Sequence, residues 1–173
     1  MTAHQASANR SDCRCPVPQS VAMTLCDYFS APDDATAVAV AGTPGGPIPA
    51  GFDAIALKNI DPVVVLGRLE AIMAERAGSE AESGGSPAGA AQLVSSPDSE
   101  GPFVFRVTDA FTAALAAAGP EDLARAAGPW SRTDELRQFQ VDAAAAAGVL
   151  EALAALARRA QEAKAHVFCW WAL

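Results

Sequence analysis

Bulky apolar residues fall in short clusters along this chain, separated by polar or alanine-rich stretches. Phe103-Val104-Phe105-Arg106-Val107 is the clearest strand pattern. Thr24 to Phe29 and His166 to Trp171 are dense enough in bulky apolar residues to form strands, and Phe52 to Leu57 is a weaker candidate. Helical spacing is plainest after Asp61-Pro62, where Val65, Leu66, Leu69, Ile72 and Met73 recur at i, i+3, i+4 intervals. An Asp N-cap followed by Pro at N1 is a strong helix start.

Other helix signals are local. Ser30 reads as an N-cap, with Pro32, Asp33 and Asp34 in the first turn of an alanine-valine helix reaching Ala41. Thr108 caps a helix from Asp109 to Ala118, ended by Gly119. Pro120-Glu121-Asp122-Leu123 opens another, which Gly128-Pro129 is expected to close, leaving Trp130 in a connector. Thr133-Asp134-Glu135 begins a further turn. The longest helix runs from about Asp142 to Lys164, with Leu150, Leu153 and Leu156 on one side. The order of elements predicts an α/β fold: a small mixed sheet of about three to four strands with helices, and a long C-terminal helix followed by a final strand. No internal repeat is visible.

Two stretches fit no element. Residues 1–22 are polar, aperiodic and broken by Pro16 and Pro18, and read as a disordered extension before a single domain over 23–173. Residues 79–102 are rich in Ser, Gly, Pro, Ala and Glu, and read as a flexible surface loop. Gly42 to Gly51 is a connection with three prolines. It lacks the Gly-Lys-Ser/Thr ending of a phosphate loop, and its prolines remove backbone donors.

Composition changes this picture in one respect. The chain has 173 residues, 51% of them hydrophobic, but about a quarter of all residues are alanine. Alanine buries little area, so the core rests on a limited set of Val, Leu, Ile, Phe and Trp. The net charge of −8, from 12 basic and 20 acidic residues, argues against nucleic acid as a partner. Ala143 to Ala157, the most apolar long stretch, falls short of the roughly 20 apolar residues of a membrane span and carries Glu151. Residues 1–19 lack the apolar core of a signal peptide. A cytoplasmic protein with reduced thiols is the expectation.

Few residues could carry chemistry. Cys13-x-Cys15 is too tight for the usual zinc knuckle, so no metal or other cofactor is expected. A cysteine nucleophile needs a base, and His166 is the one histidine outside the N-terminal stretch. His166 and Cys169, three apart in a strand, point to opposite faces. Cys26 could meet His166 only if the two strands pair in a favourable register. Cys26, Cys169 and His166 are therefore the catalytic candidates. Asp27 alternates with Cys26 and Tyr28, and is the solvent face of its strand if the sheet is covered on one side. The pair Trp170-Trp171 places one indole on each face of a strand: both are core if helices cover both faces, and otherwise one is exposed, so these two and Trp130 are the candidate binding residues.

Asp27-Tyr28-Phe29-x-Ala31-Pro32, Ile60-Asp61-Pro62 and the ending Cys169-Trp170-Trp171-Ala172-Leu173 after an Ala/Arg-rich helix resemble a family of uncharacterised small actinobacterial proteins. The resemblance spans most of residues 23–173 and implies a stand-alone cytosolic protein, with no activity attached. The functional expectation is a non-enzymatic binding or protein-interaction module, self-associating or with a protein partner. The alternatives are a small cysteine-dependent enzyme and an acidic immunity or regulatory partner of a basic protein.

Overall fold

The computed structural model describes residues 25–76, 89–99 and 101–172. In chain order these form β1 (Leu25–Ala31), α1 (Asp34–Ala39), a 3-10 turn (Val40–Gly42), β2 (Ala54–Lys58), α2 (Val64–Arg76), β3 (Ala91–Leu93), β4 (Phe103–Val107), α3 (Asp109–Ala117), α4 (Pro120–Ser131), α5 (Asp134–Gln138), α6 (Ala143–Glu162) and β5 (His166–Ala172). The fold is α/β as expected, with the long helix α6 followed by the final strand. The strands make one sheet in the order β2-β1-β5-β4-β3, and every pairing is antiparallel. The bulkiest strand in the sequence, β5, is central. It pairs with β1 from Leu25↔Ala172 to Ala31↔His166, and with β4 through Phe103↔Trp171 and Arg106↔Phe168.

Alternation along the strands gives the sheet two unlike faces. One carries Cys26, Tyr28, Phe105, Val107, Val167 and Cys169, covered by α2 to α6 through Leu66, Leu69, Phe111, Leu123, Leu136, Leu150 and Leu156. Buried alanines at 146, 154, 157 and 160 let α6 lie close to its neighbours, and it packs most extensively on α3 and α4. The other face carries Phe29, Ala31, Val104, Phe168 and Trp170. Among the described residues, α1, the 3-10 turn, the segment through Phe52 and Val94 cover it.

Several boundaries differ from expectation for identifiable reasons. The sheet has five strands because β3 lies within 79–102, the stretch expected to be loop. Ala91, Gln92 and Leu93 pair with Val107, Arg106 and Phe105, so β4 imposes the strand on a segment with no strand pattern of its own. Residues 79–88 and the expected extension 1–22 lie outside the described residues. β1 runs on to Ala31, so Asp33 rather than Ser30 caps α1, its carboxylate accepting from the Thr36 N–H at 2.7 Å. α4 continues through Gly128 and Pro129 to Ser131. Trp130 is thus helical and wholly buried, and its indole N–H donates to the Val65 carbonyl at 3.0 Å. Tertiary anchoring here outweighs the breaker signal of Gly-Pro. The caps read from the sequence hold, Asp61 accepting from the Val63 and Val64 N–H groups and Thr108 from Phe111, while Asp142, read as the first residue of the long helix, is its cap and accepts from Ala145.

Candidate functional site

The sheet separates the residues that could have made a thiol enzyme. Cys26 and Cys169 are wholly buried on the helical face of the adjacent strands β1 and β5. Burial pushes the Cys169 thiol well up, and its hydrogen bond with Cys26 adds to this. Beside it Tyr28, also fully buried, donates its hydroxyl to the Ile60 carbonyl at 2.7 Å, and burial again raises its pKa well above 10. A thiol in this setting stays protonated and unreactive at neutral pH. His166 stands on the opposite face, paired in register with Ala31, five residues along β1 from Cys26. The structure brings neither cysteine to it.

His166 joins a different group at one end of the sheet. Its Nδ1 lies 2.9 Å from Asp109 Oδ1, at the start of α3. The Arg106 guanidinium of β4 contacts the ring at 2.8 and 3.3 Å and also reaches Asp109 at 3.0 Å and Asp34 of α1 at 3.1 Å. Burial would raise the Asp109 carboxyl, but hydrogen bonds and charge from His166 and Arg106 outweigh it and hold the group below its ordinary value. Through Arg106, this network clips α1 and α3 to the sheet.

The three tryptophans are placed differently. Trp130 is the internal anchor of α4. Trp170 is almost fully buried against the loop face, its ring under Gly46, where a Cβ would come within 3.0 Å of it. Trp171 is half-buried on the helical face, against Phe105 (centroids 5.6 Å, edge-on) and Phe103 (6.1 Å). Neither the Trp170 nor the Trp171 indole N–H has a hydrogen-bond partner among the described residues. Asp27, expected on the solvent face, is instead buried between β2 and β5, opposite Ala56 and Trp170. Burial raises its carboxyl above the ordinary value. The loop face is covered, so alternation alone misplaced it.

A concavity lies elsewhere, among α2, α3 and α4. It is a cleft of about 750 Å³. Phe111, Ala118 and Ala126 are buried at its base, Met73 and Ala74 form one wall, and the exposed Ala110, Ala114 and Ala117 form another. The helix periodicity explains it. Residues 110, 114 and 117 share one face of α3, and 70, 73 and 74 share one face of α2. Where two helices meet through methyl groups, side chains do not reach across to fill the space between them. Three charged residues border the cleft. Asp122 accepts from the Gly119 N–H at 3.1 Å and pairs with Arg125, and these hydrogen bonds hold its carboxyl down. Glu70 has no ion-pair partner among the described residues, and burial raises its carboxyl.

The cleft carries no sequence motif and was not among the expected sites; the alanines at i, i+4 and i+7 of α3 were the one available signal. Among the described residues no group of three or more His, Cys, Asp and Glu could hold a metal, and no helix is long and apolar enough to cross a membrane. Comparison with known proteins finds no matching family, no matching curated protein and no matching solved structure.

Proposed function

We propose that this protein is a non-enzymatic binding module and that its occupant is a small, largely apolar molecule seated between α2, α3 and α4. The carrying observation is the cleft itself. Its volume of about 750 Å³ falls in the range of small-molecule sites, and methyl, thioether and phenyl groups dominate its lining, with a few polar groups at its border. The charge of −8 supports an occupant other than nucleic acid. Two cysteines left as free thiols support a reducing, cytoplasmic setting.

The test uses N-phenyl-1-naphthylamine, a neutral dye whose emission rises in apolar surroundings. Titration into the full chain should give a saturable, one-site enhancement. Ala114→Trp, on the exposed wall of the cleft, should abolish it while leaving the melting curve in place. Ala117→Leu should weaken it. Absence of saturable binding, or binding indifferent to both substitutions, refutes the reading.

A further inference from the structure

Resting on that reading, we infer that the occupant is an apolar amine, its ammonium group set against the Glu70 carboxylate and its hydrocarbon body lying over Phe111 and the alanine wall. The polar border of the cleft selects a cation. Glu70 and Asp122 are both acidic, and the one basic residue of the lining among the described residues, Arg125, is already paired with Asp122. Glu70 is half-buried on α2, one turn from Met73 and Ala74, and no Lys or Arg among the described residues pairs with it. Arg158 donates to the Ala116 and Ala118 carbonyls at 2.9 and 2.7 Å, so the end of α3 is already neutralised and Glu70 is the negative group that faces the cleft without a partner among the described residues. A carboxylate ligand would meet the unpaired Glu70 carboxylate, because Arg125 is already committed to Asp122. A neutral ligand would leave Glu70 partly desolvated without compensation. An alkylammonium group supplies the opposite charge and three N–H donors, and burial has already raised the energy of the carboxylate it would meet.

The experiment is isothermal titration of the full chain with three ligands of one chain length: octylamine, octanol and octanoate. Octylamine should bind about tenfold more tightly than octanol, the increment of one charge-assisted hydrogen bond, and octanoate should bind least. Glu70→Gln should remove the amine's advantage and leave octanol binding unchanged. Glu151→Gln removes the same charge from the exposed side of α6 and should change nothing. Octanol binding with octylamine no tighter overturns this inference alone. So does an amine preference that survives Glu70→Gln, or that falls equally in Glu151→Gln. If neither octanol nor octylamine binds, the binding module reading falls as well.

Discussion

The two faces of the sheet are packed by opposite means. The loop face relies on a few large rings, Phe29, Phe52, Phe168 and Trp170, under a short helix and a proline- and glycine-containing segment. Phe29 meets Phe52 edge-on at 5.4 Å and Phe168 at 5.7 Å. The helical face relies on number, with five helices whose leucines reach the sheet and whose alanines let them sit side by side. Large rings fill space completely with few residues, and they need only a thin cover. Alanine contacts bring helices close but leave gaps wherever three of them diverge. The cleft belongs to the second strategy.

The strongest test of this contrast is removal of one indole from each face. Trp130→Ala and Trp170→Ala should each cost about 3–5 kcal/mol. Trp130 should sit at the upper end, because it is enclosed by helices and its loss also removes the indole hydrogen bond to the Val65 carbonyl. Trp170 should sit at the lower end, because the segment around Gly46 can settle into the void. Urea midpoints measure both, and the reverse order would make the loop cover the stiffer of the two.

The next effect is confined to the helical face and to alkaline pH. Tyr28 and Cys169 hold their protons more tightly in the folded chain than in the unfolded one, where they titrate near ~10 and ~8.5. Their contribution to stability is complete below those unfolded values. Above them the unfolded state binds fewer protons than the folded state, so stability falls as pH rises. Stability should therefore decline from about pH 8.5 upward, and Tyr28→Phe should flatten the part of that decline above about pH 10. An unaltered slope above that pH would show that the burial of Tyr28 does not control it.

Glycines separate the faces by sign. Gly46 has φ +77° and lies against the Trp170 ring, so Gly46→Ala should destabilise by about 1–3 kcal/mol. A methyl group added at Gly148, inside α6, would meet nothing within 4 Å, so Gly148→Ala should stabilise by about 0.5–1 kcal/mol. Thermal melts of the two variants should move in opposite directions. The smallest effect is expected for Arg159→Ala. It removes a two-pronged pair to Asp53 at 2.7 and 2.9 Å, but both side chains are more than 40% exposed, and the loss should be at most about 1 kcal/mol.

Legibility in the sequence follows the same division. Elements with their own caps or periodicity were readable, among them β4, α3 behind Thr108, α6 through its leucine spacing and the start of α2 at Asp61-Pro62. Elements defined by what packs on them were not. β3 is Ala-Gln-Leu in a polar stretch and is a strand because β4 presents an edge to it. The helical state of Gly128-Pro129-Trp130 depends on the indole reaching Val65, 65 residues away. The burial of Asp27 depends on a cover supplied by residues after it. The cleft was hidden for a further reason: small side chains that leave space open resemble, in sequence, small side chains that close it.

The central place of β5 has a consequence for how the chain assembles. Its partners in β1 lie roughly 140 residues away, among the most distant pairings the fold can contain. Until β5 arrives, β1 with β2 and β3 with β4 are two separate half-sheets, each exposing an unpaired edge. Neither half buries its rings without the other. Folding should therefore be slow and cooperative, governed by the capture of one seven-residue strand between two waiting edges, and a nascent chain that lacks it is a template for aggregation.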